Sequence, residues 1–189
     1  MIIWLASYPK SGNTWVRTII NQIVYTGATK EDQVLKNLGN ISSYPLPRHM
    51  EGLSNILDDA KSFKSKGELI KYWILSQTRL NLDNKIKILK THNFLCNFKF
   101  KNENYKFTDL TTTIGVIYVV RDPRSVVTSI KYHYSLDKME DSFDMIKNKD
   151  MWIGTKKNTV PEIISSWSNH YESWIRFPKN VLLIKYEDL

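Results

Sequence analysis

A chain of 189 residues with 42% hydrophobic and 12% aromatic residues has enough apolar material for one buried core and too much for a disordered segment. Its formal net charge of +8 favours an anionic partner: a small polyanion, an acidic membrane face or nucleic acid. One cysteine, Cys96, excludes an intrachain disulfide framework, and the start MIIWLASYPK has neither the basic region of a secretory signal nor the length of a membrane span, so a cytoplasmic protein is expected.

The first element is the apolar run IIWLA (residues 2–6), which reads as a strand buried on both faces. It enters the turn SYPKSGNTW (7–15), which opens a helical pattern from Thr14 to Tyr25 with Trp15, Ile19 and Ile23 on one face. In the turn, Pro9 stiffens the chain, Lys10 supplies a point charge, Gly12 permits close backbone approach or positive φ, and Asn13 or Thr14 can cap the helix. The free N–H groups and partial positive charge of a helix start suit a phosphate or sulfate oxygen. The turn departs from the usual phosphate-binding loop, since it lacks that loop's first glycine and its Gly-Lys pair.

A long excursion (26–84) follows, holding a second amphipathic stretch from Gly67 to Leu82. The strand KIKILK (85–90) then delivers KTH (90–92). His92 sits just past this strand with a titration range near neutrality, which suits a general base for a hydroxyl proton. Lys90 lies on the same side of an extended segment and can meet charge on a leaving oxygen. His49, His133 and His170 read as structural.

The strand IGVIYVV (114–120) is followed by Arg121, Asp122 and Pro123, the proline opening a helix at its first position. Ser125 and Ser129 lie four residues apart on one side of that helix, and an arginine fork beside a hydroxyl suits a phosphate monoester. A local ion pair of Arg121 with Asp122 is the simpler alternative. Pro161 opens a fourth helix, EIISSWSNHYESWI, and NVLLIKY (180–186) forms a fourth strand ending in Glu187 and Asp188. Strands alternating with helices imply a single α/β domain over residues 1–189, a P-loop-like three-layer fold with an open parallel sheet flanked by helices. Polar groups gather after all four strands, at the carboxyl edge where such sheets bind ligands.

This set of motifs resembles the cytosolic-type sulfotransferases that use 3'-phosphoadenosine 5'-phosphosulfate. YPKSGNTW (8–15) looks like their 5'-phosphosulfate loop, with Asn13 where Thr is usual; RDPRSVVTS (121–129) is similar to their 3'-phosphate motif, with Asp122 where Asn is common; KTH matches the segment of their general base. SSWSNHYESW and LLIKYEDL resemble a later helix and strand. The resemblance implies sulfuryl transfer by in-line displacement to a hydroxyl or amine of a small-molecule acceptor, with 3'-phosphoadenosine 5'-phosphate as product and no metal. It implies that Lys10 meets the sulfuryl group, that Ser11, Gly12, Asn13 and Thr14 hold the 5'-phosphate, that Trp15 and Tyr186 lie near adenine, that Arg121 and Ser129 bind the 3'-phosphate, and that His92 is the base assisted by Lys90. Family chains run on past YED with a basic, glycine-containing loop, so a chain cut short at its C-terminal side is expected. Asn93 and Phe94 replace the family's common Leu-Pro, which implies a different acceptor pocket.

Two rivals share parts of the pattern. A nucleotide kinase fits the loop and sheet, with Asp122 as the magnesium-binding acid, but wants Gly-Lys-Ser/Thr. A non-catalytic domain binding anions or nucleic acid fits the charge, through lysines in KSFKSK (61–66) and KKN (156–158), yet no nucleic-acid motif accompanies them. The aromatics Tyr44, Tyr72, Trp73, Phe143 and Trp152 suit an apolar acceptor pocket or, equally, a core.

Overall fold

The computed structural model of the protein describes residues 1–26, 38–50, 71–100, 102–153, 160 and 162–189. Its centre is a parallel sheet of β1 (Ile2–Ser7), β2 (Lys87–Thr91), β5 (Thr113–Val120) and β8 (Val181–Lys185), in the order β2-β1-β5-β8. Two antiparallel pairs stand apart from it, β3 (Asn97–Phe100) with β4 (Glu103–Lys106) and β6 (Trp152–Ile153) with β7 (Glu162–Ile163). The helices are α1 (Asn13–Asn21), the single turn α2 (Pro47–Met50), α3 (Trp73–Leu80), α4 (Pro123–Tyr134), α5 (Met139–Lys147) and α6 (Trp167–Ile175).

The inner strands β1 and β5 are nearly continuous apolar runs because both faces are covered. On one face Trp4 meets Tyr44 at 5.2 Å and Phe107 at 5.0 Å between ring centroids, and Trp73 meets Phe107 at 5.1 Å. Such tilted and edge-on pairs add about 0.5–1.5 kcal/mol each beyond area burial. Trp4 keeps its indole N–H satisfied at 2.8 Å from Thr113 Oγ1. Tyr44 and Trp73 are therefore core residues, not walls of an acceptor pocket.

Three sequence expectations are corrected. NVLLIKY, an apolar run of the kind that reads as a strand covered on both faces, is the sheet's last strand, and Leu182 and Leu183 are 57% and 40% exposed because the described residues cover its faces only in part. Trp15 and Ile19 of α1, and Ile23 in the π-helical turn (Gln22–Thr26) that follows it, are exposed, and the helix instead buries Asn13, Val16 and Asn21. The fourth helix begins at Trp167, because the Ser166 hydroxyl accepts the Asn169 N–H at 3.3 Å as an N-cap, while the β-branched pair before it feeds β7. Pro161, residues 67–70 of the second amphipathic stretch and the lysines of 61–66 and 156–158 lie outside the described residues. Of the rest of that stretch, Trp73–Leu80 form α3, with turns on either side. Helix α5 and the β3–β4 hairpin were not anticipated.

Candidate active site

After Ser7 the chain turns back on itself through two left-handed residues, Lys10 at φ 68° and Gly12 at φ 90°. Gly12 is the N-cap of α1, and no side chain caps that helix. The first amides of α1 thus keep their partial positive charge free of a competing side-chain acceptor. Asn13, expected as a cap, lies inside the first turn and donates its amide back to Leu5 O (3.3 Å) and Ser7 Oγ (3.1 Å). That side chain ties the helix start to the end of β1, and it is buried in doing so. Thr14 is exposed and does not cap either.

Gly12 is also required sterically. A Cβ there would stand 2.2 Å from Tyr186 Cδ2, and φ 90° is a conformation that side-chain-bearing residues rarely adopt. The Tyr186 ring thus lies on the loop, and Arg121 lies over that ring, its guanidinium carbon 4.2 Å from the ring centroid. Arg121 donates one N–H to Lys10 O at 3.1 Å. Two polar atoms here are buried without a hydrogen-bond partner, Ser11 Oγ and Arg121 Nε. Buried polar groups are ordinarily paired, so this pair of orphans fits an anionic group bound at the loop.

Asp122 does not pair with Arg121. It caps α4, accepting the Arg124 N–H at 2.8 Å, and forms its ion pair with the Arg124 guanidinium, which holds the carboxyl at about 2. Its own N–H donates to Glu187 Oε1 at 2.9 Å. Asp122 thereby works as a helix cap, and Arg121 is left to face the loop.

His92 is held on three sides. Its ring Nδ1 lies 2.7 Å from the Ser7 carbonyl oxygen, which can only accept, so Nδ1 carries the proton and Nε2 the lone pair. Its backbone N–H donates to Glu162 Oε2, and its carbonyl accepts from His170 Nε2 at 3.0 Å. The other nitrogen of His170 then accepts the Tyr118 hydroxyl at 2.8 Å. Burial first, then the Lys90 charge and smaller contributions from His170 and Lys10, hold His92 well below the ordinary histidine value, against the raising effect of its bond to Ser7. The sequence expectation of a value near neutrality is corrected on this ground. His92 is neutral at pH 7 with Nε2 unprotonated, the form a base must take.

One cavity of about 440 Å³ collects most of the sequence-predicted residues: Lys10, Gly12, Asn13, Thr14, Trp15, His92, Arg121, Ser129 and Tyr186. Ser11 lies behind it, only 1% exposed. Lys90 is not in its lining, because the ammonium pairs with Glu162 Oε1 at 3.6 Å in a nearly closed setting where burial lowers its pKa. Ser125 is also outside the lining. Sequence reasoning missed His133, Tyr134 and Ile153, which complete the wall. A signal for His133 existed: it stands four residues after Ser129 on α4 and so shares its helix face. Ile153 reaches the wall through the β6–β7 pair, for which no local signal was read.

A family model described as "Sulfotransferase domain" matches residues 2–189. The chain is 27% identical over 195 residues to sulfotransferase 1E1 of Rattus norvegicus, which covers 98% of this chain and 52% of that protein. Its fold is similar to that of mouse sulfotransferase SULT7A1 complexed with PAP, with a TM-score of 0.53, 20% identity, and 98% of this chain and 50% of that chain covered. It is also similar to retinol dehydratase in complex with androsterone and inactive cofactor PAP, with a TM-score of 0.50, 19% identity, and 99% and 54% covered. The chain spans about half the length of the relatives it matches.

Proposed function

Since the chain belongs to the sulfotransferase domain family, we propose that it transfers a sulfuryl group from 3'-phosphoadenosine 5'-phosphosulfate to a hydroxyl or amine of a small-molecule acceptor, with His92 as general base. The observation that carries this reading is the shared cavity, in which an unsatisfied anion loop and a neutral, fully oriented imidazole line the same wall. The solved relatives named as PAP complexes support the choice of nucleotide.

When bound, the nucleotide supplies the activated sulfuryl group. The α1 amides and Ser11 Oγ would hold its 5'-phosphate, Arg121 and Ser129 its 3'-phosphate, and Trp15 and Tyr186 its base. Lys10 would offset charge near the transferring group, the kind of stabilisation that supplies much of the catalysis in group transfer between oxygens. His92 Nε2 would take the acceptor's proton while Nδ1 stays bonded to Ser7. The acceptor class stays at a small molecule with a hydroxyl or amine, and the domain reading stays at one sulfotransferase domain over 1–189 with no nucleic-acid partner.

The test is direct. Incubation with the phosphosulfate donor and a panel of aryl and alkyl alcohols, without magnesium, is expected to release 3'-phosphoadenosine 5'-phosphate and a sulfated product in equal amounts. Transfer from ATP that depends on magnesium would instead favour the kinase reading.

A further inference from the structure

Glu162 binds three consecutive residues of the base segment with one carboxylate. Oε1 pairs with Lys90 Nζ at 3.6 Å, while Oε2 accepts the Thr91 hydroxyl at 3.4 Å and the His92 backbone N–H. Strand β7, which carries Glu162, is laced to the next residues as well: Ile163 N–H donates to Asn93 Oδ1 at 2.8 Å, and Phe94 N–H donates to Ile163 O at 2.9 Å. Asn93 is fully buried, and its carbonyl accepts from Trp174 Nε1 at 2.9 Å. None of these bonds runs to the loop at residues 8–14, so the base segment and the anion loop are held by separate sets of contacts that meet at Ser7.

We propose that Glu162 is a positioning residue for the base: it fixes the 90–92 backbone so that the His92 ring stays against Ser7 with Nε2 unprotonated and facing the reaction. The inference deepens the reading of His92 as general base and rests on it. The physical argument is one of reach and charge. The peptide group before His92 is held at its N–H by Glu162 and the one after it at its carbonyl by His170, so the backbone on either side of the His92 Cα cannot turn without breaking a bond, the first of them to a carboxylate. The same carboxylate neutralises Lys90, which would otherwise stand as an uncompensated cation beside the imidazole. Removing it frees the segment to shift, and misplacement of a reacting group by about 1 Å costs on the order of a hundredfold in rate.

The test uses Glu162→Ala and Glu162→Gln in the full chain, with three readouts. The first is the His92 tautomer by long-range proton–nitrogen NMR. Wild type is expected to show one Nδ1–H tautomer, Glu162→Ala an averaged pair, and Glu162→Gln, whose amide oxygen can still accept the His92 N–H, a pattern near wild type. The second is turnover, expected to fall about a hundredfold in Glu162→Ala and less in Glu162→Gln. The third is affinity for 3'-phosphoadenosine 5'-phosphate, expected to change less than twofold. A wild-type tautomer in Glu162→Ala overturns the proposal. So does a parallel loss of turnover and nucleotide affinity, which would mark general loosening. Should Glu162→Ala not fold, Glu162→Leu, which fills the same space and likewise cannot accept the His92 N–H, takes its place with the same expected and overturning results. If wild type transfers no sulfuryl group, the reading of the reaction fails by itself and the tautomer comparison still decides the positioning role.

Discussion

The two halves of the cavity are built on opposite terms. The anion half, from Lys10 to Thr14 with Arg121 and Tyr186, has an uncapped helix start, two left-handed residues and two buried polar atoms without partners. In the base half, the hydrogen-bonding groups of His92 other than Nε2 are engaged, by Ser7, Glu162 and His170. The first half leaves buried polar atoms unpaired; the second has its groups paired within the chain. The difference teaches how a small domain divides its work, since a binding loop gains affinity from groups left unsatisfied, whereas a base gains rate from being held still.

The largest expected effect breaks one half alone. His92→Gln should lower turnover on the order of a hundred- to ten-thousand-fold while leaving affinity for 3'-phosphoadenosine 5'-phosphate unchanged, as steady-state kinetics beside calorimetry would show. Arg121→Ala should do the reverse, weakening that affinity about ten- to a hundredfold, the loss of charge-assisted bonds worth roughly 1.5–3 kcal/mol, and sparing the His92 tautomer. Loss of both properties in either variant would mean the halves are not separable.

A smaller effect comes from Gly12→Ala. The left-handed conformation alone costs roughly 1–2 kcal/mol for a residue with a Cβ, and the new methyl drives Tyr186 off the loop. Both the melting temperature and nucleotide affinity should fall. Stability should also depend on acid. Burial holds His170 at about 3, and burial with the Arg48 charge holds His49 at about 4. Both are depressed in the fold, so the unfolded chain takes protons first, near pH 6.5. Stability is full above that pH and falls as pH drops toward 4 and then 3, by up to about 1.4 kcal/mol per pH unit for each group. Urea unfolding from pH 7 to 4 would measure the slope, and His170→Gln should reduce it. The smallest effect is Arg124→Ala: its ion pair with Asp122 is exposed, and neither melting temperature nor affinity should move measurably.

The anion half was legible in the sequence because its signals are local. Proline, lysine and glycine within one turn after an apolar strand already state a backbone that bends and opens toward an anion. Its detail was not legible: Asn13 looked like a cap and is a strut, since which side chain caps depends on where the first helical turn begins. The base half was only half legible. KTH after a strand marks His92, but Glu162 and His170 stand about 70 and 78 residues away, and nothing local ties either to the base. Among the sheet strands, β1 and β5 read correctly from apolar runs, while β8 has the same composition and lies exposed at the edge. Composition reports that a strand is apolar; what packs on its faces is set by distant segments, which cover edge strand β2 at Ile88 and Leu89 and leave Leu182 and Leu183 of edge strand β8 exposed.

The most direct test of the account is a calorimetric titration of the magnesium-free chain with 3'-phosphoadenosine 5'-phosphate, run beside Lys10→Ala, Arg121→Ala and His92→Gln. The account predicts saturable binding by wild type that both loop substitutions weaken and His92→Gln leaves intact. No binding by a folded wild-type chain, or binding indifferent to Lys10 and Arg121, would contradict it.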